Sequence, residues 1–347
     1  MLSVRPVALL LALVLVPAAI AADDPAIVQA RYDAARDREE AVLRSSSPDR
    51  VELRRVRATI LAAERFDHRP AGWRGGRAVP QAALPRGSMR ARAPARTDVE
   101  LERRLAALGE WYRGWAAFWV HDLTTGRTAG WNSDARFPAA STVKLGVLVA
   151  ALRAVSVAPE RSRFWYDLRQ LAGWSSNLAA NRLLAQLGTS RVASALGGLG
   201  MIQSTYPGPY RVGTARRDAP KPPPLSTWRY TTARDLGRAL YALQAAASGN
   251  RYEQRQTGLA RARARLALEL LLAGWAGGDN AGLVRPFVDG APVAQKNGWI
   301  SDARLTASIV YAKSGPKIVV LLVYRPRLPY AEAQSLGKKV LASARIP

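Results

Sequence analysis

The chain has no cysteine, and among its 347 residues only two are histidine, His68 and His121. Without cysteine there is no disulfide framework, no thiolate metal site and no sulfur nucleophile. Two histidines 53 positions apart make a poor metal centre, and neither has a convincing partner for a histidine-based serine hydrolase. Acids are scarce as well: 26 Asp+Glu face 51 Lys+Arg, a formal charge of +25, and only seven of those cations are lysine. Such a charge suggests nucleic acid in a cytosolic protein. Here the arginines are dispersed rather than gathered into a stripe. They read as a solvated basic surface, or as a means of adsorbing to anionic envelope polymers, and no nucleic-acid partner is expected. Wholesale disorder is excluded, because 48% of the residues are apolar and 22% charged.

Long apolar runs are missing except for one, and it is short. After Arg5 the chain runs from Val7 to Val16 without a charge, then through Pro17 to Ala19-Ile20-Ala21. A cation, an apolar stretch below membrane-spanning length and a small-residue ending form the pattern of a secretory signal, cleaved after Ala21. The expectation is an exported monomer, periplasmic or extracellular, that is stable by packing alone.

Residues 23 to 66 read as helix, turn, helix. In the second helix Leu53, Val56, Ile60 and Ala63 fall on one face, and Ser47-Pro48-Asp49 marks its start, with Pro in the first turn. Between Arg69 and Arg96 the composition changes to four Pro, four Gly, seven Arg and no acid, as in a linker. The organisation expected is a signal peptide at 1–21, a helical appendage at 22–68, a linker at 69–96 and a main domain at 97–347.

The main domain opens with a helix, Val99 to Leu108, and a hairpin formed by Trp115–Val120 and a second strand ending at Trp131. Residues 141 to 186 read as helical, as do Thr231–Ala246 and Leu259–Gly274. Thr231 and Thr232 are cap candidates for the first of these two, with Asp235 near its dipole-positive end. Strands at Val293–Lys296, Leu305–Tyr311 and Ile318–Tyr324 and a helix from Tyr330 complete the chain. The fold class is α+β: an antiparallel sheet built from both ends of the domain, with helices packed on it.

Chemistry concentrates in three places. Ser141 opens an apolar helix, and Lys144 lies three residues on, one turn away on the same face. A helix N-terminus can stabilise an oxyanion, and a desolvated lysine can take the proton that serine otherwise gives to histidine. Trp174-Ser175-Ser176-Asn177 adds a second hydroxyl and an amide. Gln295-Lys296-Asn297-Gly298, on a predicted strand, offers a cation and a glycine that permits close approach to the backbone.

In this order, Ser-x-x-Lys, Ser-x-Asn and Lys-x-Gly resemble the motifs of class A β-lactamases and penicillin-binding serine hydrolases. Trp131 to Pro138, Asn177 to Gly188 and Tyr230-Thr231-Thr232-Ala233 extend the resemblance over Thr97 to Ala344. It implies an acylated nucleophile at Ser141, a proton shuttle at Lys144 and proton relay to the leaving nitrogen through Ser175. Asn177 would hold the substrate amide and orient Lys144, while Lys296 and Asn297 would receive the substrate carboxylate, with Arg304 as a second carboxylate clamp. The backbone N–H groups of Ser141 and Trp299, beside Gly298, would form the oxyanion hole. The implied substrate is a small-molecule β-lactam or a D-Ala-D-Ala-type peptide, and no metal or organic cofactor is implied.

Four departures stand out. Ser176 replaces the usual Asp of the second motif, and Asn297 replaces Thr or Ser in the third. The short interval from Ser141 to Ser175 implies a reduced helical half. The stretch Arg211 to Trp228 lacks the Glu with which class A enzymes activate the deacylating water; Asp218 is its only acid, and Pro222 stands where the partner Asn would be. Two readings follow: a β-lactamase using Asp218, or a D,D-carboxypeptidase with slow deacylation. A third is a catalytically weak wall-binding module, and the intact Ser141, Lys144, Ser175 and Lys296 argue against it. Trp165, Trp174 and Trp299 flank the motifs, as core residues or as walls of a cleft.

Overall fold

Two aspartates start the N-terminal helices in the computed structural model, which describes residues 24–71, 73, 95–213 and 229–347. Asp24 caps α1 (Pro25–Arg44) by accepting from the Ala26 N–H at 2.8 Å. Asp49 caps α2 (Arg50–Phe66), accepting from Val51 and Glu52. The second helix therefore begins after Asp49, and Pro48 precedes its cap instead of lying in its first turn. Of the expected face, Val56, Ile60 and Ala63 are buried and Leu53 is partly buried.

The helical pair is seated on the main domain. Val28, Tyr32, Val56 and Ile60 form a small core with Leu178 and Val212. The Tyr32 hydroxyl donates to buried Asp167 at 2.7 Å, and Arg182 reaches Asp37 at 2.6 Å. Of the expected linker, residues 74–94 lie outside those described. Trp73, at its start, lies against Gly173 and donates to Gln170 at 2.8 Å.

The main domain runs β1 (Arg96–Thr97), α3 (Val99–Trp111), β2 (Trp115–Asp122), β3 (Arg127–Trp131), β4 (Phe137–Pro138), α4 (Lys144–Ala154), α5 (Trp165–Trp174), α6 (Asn177–Leu187) and α7 (Thr189–Gly198). It continues through β5 (Tyr230–Thr231), α8 (Ala233–Ser248), α9 (Arg251–Thr257), α10 (Arg261–Leu272), β6 (Val293–Trp299), β7 (Ala303–Ala312), β8 (Gly315–Tyr324) and α11 (Tyr330–Ser343). Thr232 caps α8, whereas Thr231 belongs to β5.

The main sheet has the order β1-β3-β2-β8-β7-β6 and is antiparallel except for the short β1–β3 pair. Both ends of the domain build it, as expected. Alternation along β8 sends Ile318, Val320 and Leu322 into the larger core and Val319, Leu321 and Val323 into the other. All six are fully buried, so the continuous apolar run reflects helices on both faces of the sheet. Each such side chain contributes about 1.5–3 kcal/mol on burial.

Residues 141–186 form three helices. Of these, α4 is buried on every side from Lys144 to Leu152, which is why its sequence is apolar all round. Between α5 and α6 the chain turns at Ser175, whose φ of 68° ends α5 in the left-handed region. That break carries the second motif.

Candidate active site

Ser141 enters α4 through a tight turn. Thr142, Lys144, Leu145 and Gly146 each donate to the carbonyl three residues back, at 3.0–3.2 Å. Side chains at i and i+3 eclipse in such a turn, which puts Ser141 and Lys144 on one side of it. Ala140, just before the nucleophile candidate, has a φ of 43°, a strained value for a residue with a Cβ. The Tyr210 hydroxyl holds its carbonyl at 2.8 Å.

The Lys144 amine is fully buried and donates to the Ser175 carbonyl (2.5 Å), the Ser176 carbonyl (3.2 Å) and Asn177 Oδ1 (2.6 Å). Three acceptors suit an ammonium. Burial opposes it, and the Lys296 and Arg229 cations add to that, while Asp67 works the other way; the net effect pushes the amine well below its usual range. The buried amine therefore gives up its proton more readily than an exposed lysine does, which suits a proton acceptor.

Lys296, 2% exposed, approaches from β6 and donates to Ser175 Oγ at 2.6 Å and to the Asn297 carbonyl at 2.9 Å. Its burial pushes the amine down to about 7. Gly298 lies against the nucleophile candidate: a Cβ there would stand 2.9 Å from the Ser141 nitrogen and 3.0 Å from the Ala139 oxygen. β6 is an edge strand, and Ile300 N–H bonds inward to Ala303. Alternation then turns the Trp299 N–H to the free edge, on the same side as the Asn297 carbonyl. Ser141, Lys144, Ser175, Asn177, Lys296 and the Gly298–Trp299 backbone thus converge.

Asn297 does not join them. Lys296 and Gly298 share one face of β6, so Asn297 takes the other. There its amide donates to the Asn280 carbonyl (2.7 Å) and accepts from Thr306 (2.8 Å), and the residue is 3% exposed. The expected carboxylate-facing amide is in fact a brace between β6, β7 and the segment around Asn280. Arg304, opposite Trp299, donates to the Ile300 carbonyl at 3.0 Å and lies 3.8 Å from Asp279. A carboxylate of the chain itself already faces that guanidinium. Asp218 lies outside the described residues.

The tryptophans divide. Trp174 is buried and bonds Gln170 at 2.6 Å; Trp299 is partly buried. Trp165 lines a cavity of about 690 Å³ between α1, α2 and α5 that none of the clustered residues lines. His121 stacks on Tyr241, with ring centroids 5.5 Å apart, on a different strand from the cluster.

Three contributors escaped the sequence reading. Asp67, just after α2, accepts from Ser176 Oγ and from the Asn177 and Leu178 N–H groups. Tyr210 lies under the Lys144 amine, 4.4 Å from ring centroid to nitrogen, with Arg229 4.0 Å from the same ring. Asn181 bonds both the Tyr210 N–H (2.6 Å) and its carbonyl (2.7 Å). Asn177, one turn earlier on α6, donates to the Arg211 carbonyl at 2.8 Å. The i, i+4 pair Asn177 and Asn181 was the available signal for the last contact; Asp67 and Tyr210 carried none.

Solved structures share this arrangement of elements. "Structure of PBP-A" superposes with a TM-score of 0.57 at 17% identity, covering 73% of this chain and 98% of that one. A β-lactamase from Sphaerobacter thermophilus gives 0.55 at 18%, covering 71% and 95%. A β-lactamase from Desulfarculus baarsii gives 0.55 at 21%, covering 71% and 97%. No curated protein matches the chain in sequence. The family model described as the β-lactamase enzyme family matches residues 100–158 and 165–343, a span that holds Ser141, Lys144, Ser175, Asn177 and Lys296. The chain belongs to the β-lactamase enzyme family.

Proposed function

We propose that this is an exported serine hydrolase that opens β-lactams through an acyl-Ser141 intermediate. The observation that carries the reading is the buried pair of lysines, Lys144 and Lys296, which meet at Ser175, while Ser141 sits one turn before Lys144 and against Gly298 of the Lys296 strand. Ser141 Oγ attacks the lactam carbonyl and Lys144 accepts its proton. Ser175, bonded to Lys296, passes a proton to the departing ring nitrogen as the C–N bond breaks. The Ser141 and Trp299 N–H groups receive the oxyanion, and water then hydrolyses the ester. A point mutant of PBP-A, whose fold is similar, has been solved as an acyl-enzyme complex with penicillin G, which supports testing penicillins first. Export rests on the Val7–Val16 pattern alone.

A peptidoglycan D,D-carboxypeptidase with slow deacylation is the second reading, favoured by the absence of any Glu between Arg211 and Trp228. Asp218→Asn separates the two. If Asp218 activates the water of a β-lactamase, the variant's acyl-enzyme should persist at least about 10²-fold longer, as loss of a general base implies. Unchanged turnover would remove Asp218 from the reaction. Rapid hydrolysis of a chromogenic cephalosporin by the unaltered protein supports the first reading; a persistent label with negligible hydrolysis supports the second.

Lys296 sets a pH dependence. The amine, down at about 7 in the free enzyme, attracts a substrate carboxylate only while protonated. The second-order acylation constant, which reports the free enzyme, should therefore fall as pH rises through about 7. Stopped-flow acylation across pH checks this, and a penicillin esterified at its carboxylate should lose that alkaline limb. The same limb with both compounds would remove Lys296 from carboxylate recognition.

A further inference from the structure

We propose that the N-terminal helical pair is a working part of the Ser141 site, with Asp67 as the residue that positions the turn from Ser175 to Asn177. Its kinetic consequences rest on the serine-hydrolase reading; its structural consequence does not.

Asp67 is 5% exposed, and one of its oxygens, Oδ2, accepts three hydrogen bonds from the second motif. They come from Ser176 Oγ (3.1 Å), the Asn177 N–H (2.7 Å) and the Leu178 N–H (3.2 Å). The first N–H groups of a helix have no partner within it, and the dipole there favours an anion. A carboxylate from α2 thus meets a need created at the start of α6. Where the family resemblance places an Asp, this chain has Ser176, and the carboxylate arrives from 109 residues earlier in sequence. Leu178 fixes the seat from the apolar side, being fully buried in one core with Tyr32 and Ile60. Asp67 precedes residue 100, where the family match begins, so the contact comes from outside the matched region.

The turn held by Asp67 supplies all three acceptors of the Lys144 amine: the Ser175 and Ser176 carbonyls and Asn177 Oδ1. It also presents Ser175 Oγ to Lys296. If the turn slackens, Lys144 loses its three acceptors and Lys296 loses Ser175 together, keeping only the Asn297 carbonyl. The charges facing Lys144 are Asp67 at the end of α2, Lys296 on β6 and Arg229 before β5, with the Tyr210 ring beneath and the neutral Asn177 on α6. Of the three charges, Asp67 alone favours the protonated amine.

The test uses the full chain with Asp67→Ala, which removes acceptor and charge, and Asp67→Asn, which keeps an acceptor oxygen and near-identical shape. Acylation by a penicillin should fall about 10²-fold in the alanine variant, as for a misplacement near 1 Å. In the asparagine variant the acid limb of acylation should move to lower pH, since Lys144 has lost the anion that favoured its protonated form. Ser176→Ala, which keeps the carboxylate, should leave that limb in place. Amide hydrogen exchange supplies a readout without substrate: Asn177 and Leu178 should lose protection in Asp67→Ala while Val320 in β8 keeps its own. Should the alanine variant fail to fold, the asparagine variant decides by its acid limb. Unmoved limb and rate, or unaltered protection at Asn177 and Leu178, would overturn the proposal. A wild-type protein inert to penicillin would instead count against the hydrolase reading, and exchange would still decide the place of Asp67.

Discussion

Replacing Lys144 with alanine is expected to slow acylation of Ser141 by about 10²–10⁴-fold, the range over which a positioned proton acceptor acts. Lys144 is fully buried, and its amine is held by three oxygens of the second motif. The two histidines do not offer a substitute: His121 stacks on Tyr241, and His68, next to Asp67, is exposed to solvent. Lys144→Arg separates base from cation, because a guanidinium keeps its proton at any working pH. The arginine variant should therefore be as slow as the alanine variant when acylation by a fluorescent penicillin is followed by stopped flow. Recovery to within a few-fold of the natural rate would mean that Lys144 acts as a charge and not as a proton acceptor.

The second large effect is expected from a single methyl group. In Gly298→Ala the new Cβ would stand 2.9 Å from the Ser141 nitrogen, 3.0 Å from the Ala139 oxygen and 3.1 Å from the Ala140 Cβ. Two of these are backbone atoms with no rotamer to escape into, and the third belongs to a residue whose backbone is already strained. Either β6 or the turn at Ser141 must shift by several tenths of an ångström, displacing the N–H groups proposed as oxyanion donors from Ser141. A shift near 1 Å costs about 10²-fold in rate, whereas overpacking of this kind costs about 1–3 kcal/mol in stability. Activity should thus fall far more than the melting temperature. Gly197, on the exposed side of α7 with nothing within 4 Å of a Cβ, is the control. Gly197→Ala should acylate normally and melt at or slightly above the natural temperature. Gly298→Ala acylating at the natural rate would mean that β6 does not set the geometry at Ser141.

What the sequence disclosed follows from how each signal is written. The five longer strands announce themselves by apolar runs with turn residues between them, so their existence and order are legible and only their ends move, whereas the two-residue strands β1, β4 and β5 carry no such run. Ser141 with Lys144, Ser175 with Asn177, and Lys296 with Gly298 are each local, held within three residues, and a spacing argument reaches that far. Asn297 departs from the expectation for a reason the strand period itself contains: if Lys296 and Gly298 face the site, the residue between them faces away. Arg304 looked like a free cation because its neighbours, the Ile300 carbonyl and Asp279, enter only when β6, β7 and the preceding segment are assembled. Asp67 was invisible for a stronger reason. It stands at the junction of a helix and an arginine-rich stretch, where an acid has no periodicity to break and no motif to complete. Its three partners lie 109 to 111 residues away, joined to it only by the packing of α1 and α2 on α6.

The central claim is that Ser141 becomes covalently acylated by a β-lactam with help from Lys144. Intact-protein mass spectrometry after addition of penicillin G tests it most directly, with proteolytic mapping of the modified peptide and hydrolysis followed in parallel. The account predicts a mass increase equal to the whole penicillin, mapped to Ser141, transient or persistent according to the deacylation rate, and absent from Ser141→Ala. A protein that neither gains the adduct nor consumes the penicillin, or one whose adduct maps elsewhere and survives in Ser141→Ala, would contradict it.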